Sequence, residues 1–171
     1  MTKKKPHILL TNDDGIRSPG LWAAASELSK IGYVTVAAPR HQSSGMGRSL
    51  PSTSDGIIHK EQVQVNGQEW SVYAVGGSPA QSVLHGVLEI VPHKPDLVVS
   101  GINYGENVGL GITISGTVGA AMEAANLGFL PLPSHSKPTR IITSATQKTL
   151  IFNSRIFHWL LCTYSIREEK F

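Results

Sequence analysis

One cysteine in 171 residues, Cys162, leaves no material for an intrachain disulfide framework or a cysteine-rich zinc cluster. No stretch approaches the roughly 20 consecutive apolar residues of a membrane span, so no membrane partner is expected. The basic start Met1-Thr2-Lys3-Lys4-Lys5-Pro6 runs into an apolar segment of strand length. That segment is too short for a signal h-region and has no small-residue cleavage site, and a cytoplasmic location is expected. Gly-x-Gly-x-x-Gly is missing from the first strand-to-helix turn, which disfavours a bare dinucleotide site. Charged residues are only 16% of the chain and apolar ones 40%, a composition compatible with a globular domain.

Positive charge is scarce where it would matter for nucleic acid. Residues 1–133 hold 9 of the 15 Lys+Arg and 10 of the 12 Asp+Glu, a net of −1. Residues 134–171 hold the other 6 and 2, a net of +4. The basic balance belongs to the last segment, and a nucleic-acid footprint over the whole chain is not expected.

What is present is organised around Ile8-Leu9-Leu10-Thr11-Asn12-Asp13-Asp14-Gly15-Ile16. A short apolar run followed by turn residues reads as a buried first strand. In an open parallel α/β sheet, ligands bind outside the carboxyl ends of the strands, where Asp13 and Asp14 then fall. Two adjacent carboxylates repel unless a cation or a shared proton relieves them, and Mg²⁺ prefers such oxygens. A solvated strand-to-helix turn is the other reading of this motif alone.

Ser18-Pro19-Gly20 reads as a helix start, and Leu21, Ala24, Ala25, Leu28 and Ile31 follow at helical spacing to Gly32. Tyr33–Ala38 is a second buried strand, giving a right-handed β-α-β unit. The loop from Pro39 to Leu50, containing Gln42-Ser43-Ser44-Gly45-Met46-Gly47, leaves on the rim that carries the carboxylates. Its small residues allow backbone N–H groups or a hydroxyl to approach an anion or a metal. Residues 57–75 alternate polar and apolar around Asn66-Gly67, a strong hairpin signal. Ser78-Pro79 caps a helix with Leu84, Val87, Leu88 and Val91 on one face, and His85 in it is structural or exposed. Pro95–Asn103 is a third core strand, with Asn103 at its carboxyl end. Ser115-Gly116-Thr117 opens a small-residue helix closed by Gly128, and such an N-terminus suits an anion.

Four blocks in one order and spacing carry a resemblance. Ile8–Ile16, Ser44-Gly45 five residues past Pro39, Val98–Asn103 and Ser115–Ala121 together resemble the SurE family of survival-protein nucleotidases over residues 6–130. The resemblance implies an α/β fold, a Rossmann-like three-layer sandwich with a mostly parallel sheet and a hairpin excursion. It implies a phosphatase for nucleoside 5′- and 3′-monophosphates that uses one divalent cation, Mg²⁺ or Mn²⁺. Carried across, the metal ligands are Asp13, Asp14, Ser44 and Asn103. Asn107, Ser115, Gly116 and Thr117 line the phosphate pocket, and Asp13 or Asp14 serves as base for the attacking water. A homo-oligomer is implied for the family.

After about Gly128 the chain departs from that pattern. Pro131 and Pro133 interrupt the expected strand, and Ser134–Lys148 shows no matching periodicity. Residues 1–133 are therefore expected to form the family-like domain, with 134–171 a divergent basic tail outside it, and the fold incomplete at the C-terminus. A non-catalytic nucleotide- or phosphate-binding remnant is the alternative reading. A haloacid-dehalogenase-type phosphatase would instead want Asp-x-Asp at the first strand, where this chain has Asp13-Asp14 adjacent.

Overall fold

A computed structural model describes residues 5–65, 67–103, 110–129 and, for the backbone, 140–143. Strand β1 (His7–Thr11) forms because its five residues hold Ile8, Leu9 and Leu10 in an unbroken apolar run, and all three are fully buried. Around it lie α1 (Pro19–Leu28), β2 (Tyr33–Pro39), β3 (Ile58–Val65), β4 (Gln68–Val75), α2 (Pro79–His85), β5 (Leu97–Ser100), α3 (Gly111–Ile114), α4 (Gly116–Ala124) and β6 (Arg140–Thr143). The six strands are ordered β3-β4-β2-β1-β5-β6. All neighbours are parallel except β3 and β4, the predicted hairpin.

Alternation along β1 divides the core. Ile8 and Leu10 face α1, packing with Leu21, Trp22, Ala25 and Leu28 and with Val36, Ala38 and Val99 of the neighbouring strands. Leu9 faces the other way, joining Ala37, Val98, Val83 of α2, Ala120 and Ala124 of α4, and Phe129. Helices thus cover both faces, as a mainly parallel sheet requires. From β1 the chain first builds toward β2 and β4, then returns to place β5 on the opposite side. That reversal makes the carboxyl end of β1 a topological switch point, the place where such sheets bind ligands.

Two helix starts are fixed by serines. Ser18 caps α1, its Oγ accepting from the Leu21 N–H at 3.2 Å. Ser78 and Gln81 form a reciprocal capping box at α2, and the buried Ser78 hydroxyl also donates to the Ser49 carbonyl at 2.6 Å. Replacing Ser78 by Ala removes both the cap and the partner of that carbonyl. We expect Ser78→Ala to cost about 1–2 kcal/mol, a fall of about 2–8 °C in thermal midpoint, measured by circular dichroism melting.

The second helix departs from the expected single apolar face. Beyond His85 it widens through Gly86–Ile90, where the Val91 N–H reaches back five residues to the Gly86 carbonyl. Gly86 lies so close to Leu9 that a Cβ there would stand 2.8 Å from Leu9 Cδ2. A five-residue turn breaks the 3.6-residue period. Leu88 is consequently 64% exposed, whereas Val91 is buried.

The segment expected to lie outside the fold contributes a strand. Arg140–Thr143 pairs in parallel with Leu97–Ser100 at the sheet edge. Four residues are too few to display a convincing period, which is why the sequence did not announce it. The other residues of 134–171 lie outside the described ones. Among the described residues, no helix is long and apolar enough to cross a membrane.

Candidate metal and phosphate site

Asp13 follows β1 by two residues and is buried, with 3% of its surface exposed. Its backbone carbonyl accepts from the Ser43 N–H at 2.7 Å, which draws the Pro39–Leu50 loop against the end of β1. Gly15, at φ +93°, turns the chain away immediately afterwards. A side chain there would be strained by that φ and would meet the His41 and Gln42 backbone at 3.1 and 3.2 Å. Asn12 braces the same turn from inside: its Nδ2 donates to the Gly15 carbonyl at 3.2 Å and to Ser18 Oγ at 2.9 Å. The turn is thereby tied to the start of α1.

The opposite wall is α4. Ser115 is its N-cap, with Oγ accepting from the Val118 N–H at 3.3 Å. The Thr117 hydroxyl, fully buried, donates to Asp13 Oδ1 at 2.6 Å and lies 3.4 Å from Asn103 Oδ1. Ser100, at the end of β5, donates to the Thr117 carbonyl at 2.8 Å. At Gly116 the helix backbone meets the acid directly. A Cβ on Gly116 would stand 2.7 Å from Asp13 Cβ, 2.9 Å from Pro79 Cγ and 3.1 Å from Asp13 Oδ2. Only glycine leaves that space open.

The charge state of Asp13 follows from this enclosure. Burial raises its pKa above the usual carboxylate range, and the neighbouring Asp14 raises it further. The hydrogen bond from Thr117 works the other way. Holding the carboxylate ionised here asks for a positive partner.

Of the expected ligands, the structure brings Asp13 and Asn103 to the same hydroxyl. Asp14 is half-buried next to Asp13. Ser44 is exposed, one residue past the Ser43 N–H that binds the Asp13 carbonyl. Asn107 lies outside the described residues. Among the described residues, no three of His, Cys, Asp and Glu converge on one point. A cation at this rim would therefore draw amide and hydroxyl oxygens into its shell. Two carboxylates, a hydroxyl and an amide are all hard oxygen donors, and they fit Mg²⁺ or Mn²⁺ and not a thiophilic metal.

Sequence reading overlooked the second anchorage of the loop. Gly47 packs against Gly119 of α4, and its N–H donates to the Ile114 carbonyl at 2.8 Å. Arg48 Nε donates to Glu123 Oε2 at 2.8 Å. A signal was present: Gly116, Ala120 and Glu123 recur at helical spacing on a buried stripe, and a carboxylate in such a stripe needs a partner.

A sequence model described as Survival protein SurE matches residues 8–147, most of the chain. The chain belongs to the SurE family. Proteins named 5′-nucleotidase SurE from Methanopyrus kandleri and Methanoculleus marisnigri are 50% identical over 122 residues and 52% identical over 125. These alignments cover 71% and 72% of this chain and 45% and 46% of the relatives. A SurE 5′-nucleotidase from Pelobacter propionicus is 41% identical over 142 residues, or 83% of this chain and 51% of the relative. The chain spans about half the length of the curated relatives it matches. The crystal structure of the SurE protein from Aquifex aeolicus superposes with a TM-score of 0.68 at 32% identity, covering 97% of this chain and 62% of that one. The α/β fold expected from the SurE resemblance is the fold observed.

Proposed function

We propose that this chain carries the metal- and phosphate-binding part of a nucleotidase that hydrolyses nucleoside 5′-monophosphates, and 3′-monophosphates as well. The observation that supports this most is the buried Asp13 carboxylate beside Asp14 at the switch point, with Thr117 on one oxygen and the glycine opening of α4 beside the other. The SurE 5′-nucleotidases of similar sequence supply the substrate class.

In this reading Asp13, Asp14, Ser44 and Asn103 hold one Mg²⁺ or Mn²⁺, and the substrate phosphate lies against Asn107, Ser115, Gly116 and Thr117. The cation, when bound, supplies charge neutralisation at the phosphoryl oxygens and a more acidic attacking water. The remaining steps belong to the chain. The α4 N-terminus faces the phosphate with the positive end of its helix dipole. Asp13 or Asp14 accepts a proton from the attacking water as its oxygen bonds to phosphorus. The phosphorus–oxygen ester bond breaks, the same proton passes to the leaving oxygen, and the nucleoside departs as the alcohol with inorganic phosphate left behind. Thr117 keeps Asp13 turned toward the site throughout. These residues all lie within 1–133, the part we assign to the site-bearing domain of a cytoplasmic, homo-oligomeric enzyme without a nucleic-acid partner.

Hydrolysis of 5′-AMP by the purified chain, with Mn²⁺ or Mg²⁺ and then with chelator, tests the assignment. Phosphate release that chelator abolishes and added metal restores is the expected result. A folded chain that binds Mn²⁺ without releasing phosphate would overturn it in favour of a binding remnant.

A further inference from the structure

The Pro39–Leu50 loop touches α4 at two consecutive residues. At Gly47 the contact is backbone to backbone against Gly119, with the Gly47 N–H on the carbonyl of Ile114 at the end of α3. At Arg48 it is an ion pair with a partner 75 residues away. The pair is asymmetric. The Glu123 side chain is 3% exposed and that of Arg48 41%. Asn126 Nδ2 lies 3.4 Å from the other Glu123 oxygen. Glu123 is thus a buried acid in a helix whose other buried residues are glycine, alanine and one threonine.

Packing does not account for it. A buried ion pair rarely outperforms apolar side chains of the same volume, so its contribution has to be sought in what it specifies. Here it specifies the path of one loop. Ser43, Gly47 and Arg48 tie its 43–48 stretch to the end of β1 and to the helices beside it, and Ser44 lies between the first and second. Besides Arg48–Glu123, this stretch is held by the backbone hydrogen bonds of Ser43 and Gly47, by Gln42 Nε2 on Ser44 Oγ at 3.4 Å, and just beyond it by Ser78 on the Ser49 carbonyl. Arg48–Glu123 is the ion pair among them.

We propose that Glu123 is a positioning residue for the metal site: through Arg48 it latches the 43–48 loop onto α4 and so sets the place of Ser44. The proposal rests on Ser44 being a metal ligand, and the experiment separates the two. Outer partners that orient ligands typically carry about 10–100-fold of metal affinity.

The test uses the full chain, with Mn²⁺ as the probe, and four variants: Glu123→Gln, Arg48→Met, the two combined, and Arg48→Lys. Amide hydrogen exchange at Gly47, followed without metal, reports the latch. Mn²⁺ affinity, followed by electron paramagnetic resonance of the free ion, reports its consequence. Each single variant is expected to speed exchange at Gly47 and to weaken Mn²⁺ binding about tenfold. The double variant should add nothing further, since both partners serve one contact. Arg48→Lys, which keeps the charge, should recover part of the affinity. Unchanged exchange at Gly47 in folded variants would overturn the latch. Faster exchange with unchanged Mn²⁺ affinity would overturn its link to the metal. A raised KM for 5′-AMP with exchange and Mn²⁺ affinity both unmoved would also overturn it, by making Arg48 a substrate contact. If the unsubstituted chain binds no Mn²⁺, the metal assignment itself fails, while exchange at Gly47 still decides the latch.

Discussion

Asp13→Asn is expected to abolish metal-dependent hydrolysis while making the metal-free chain more stable. The two effects have one origin. Asp13 is buried and adjacent to Asp14, and its raised pKa records the cost of keeping it ionised there. Asparagine has the same shape and can still accept from the Thr117 hydroxyl, but it brings no charge to repel Asp14. The thermal midpoint without metal should rise by about 1–3 °C. With Mn²⁺ present the order reverses. The unsubstituted chain gains stability in proportion to RT ln(1 + [L]/Kd), and the variant gains little because the cation has lost a charged ligand. Turnover of 5′-AMP should fall at least about a hundredfold. Melting curves with and without Mn²⁺, alongside phosphate release, measure both halves. A variant that keeps its turnover would remove Asp13 from the site; one that melts lower without metal would contradict the electrostatic account.

Gly119→Ala should be the most damaging single-methyl change in the described part of the chain. The added Cβ would fall 1.9 Å from the Gly47 oxygen, 2.2 Å from its carbonyl carbon and 2.5 Å from the Arg48 nitrogen. All three are backbone atoms, so no side-chain rotation relieves the clash. Either α4 or the loop must move by about an ångström, and with the loop go Arg48 and Ser44. Overpacking of this kind costs typically about 1–3 kcal/mol, and more where backbone must shift. The thermal midpoint is expected to fall by about 2–12 °C, and phosphate release should be lost with it. Gly111→Ala is the control, since a Cβ at Gly111 meets nothing within 4 Å. Equal melting of the two variants would show that the loop does not rest on α4 as described.

How far the sequence anticipated these features depends on the range of the interaction. Ser18 and Ser78 announce their helices because a cap is decided within three residues. The hairpin was legible for the same reason: Val65 pairs with Gln68 across a two-residue connection. The carboxylate pair was visible as a motif, and its position at a strand end followed from the apolar run before it. Three features were not legible. The wide turn after His85 depends on how Gly86 meets Leu9, a contact between elements far apart in the chain. Strand β6 depends on β5 being present as a template. The hydrogen bond from the Thr117 hydroxyl to Asp13 was the third, since only the packing of α4 on β1 brings the two together.

The Asp13–Thr117 hydrogen bond joins residues 104 positions apart. Chain synthesis at about 5–20 residues per second puts roughly 5–20 s between the emergence of the two. During that interval β1 can pair with β2 and β5, which precede α4, but the carboxylates at its end have neither the hydroxyl nor the helix to orient them. A nascent chain therefore lacks this wall around Asp13 until α4 has left the ribosome.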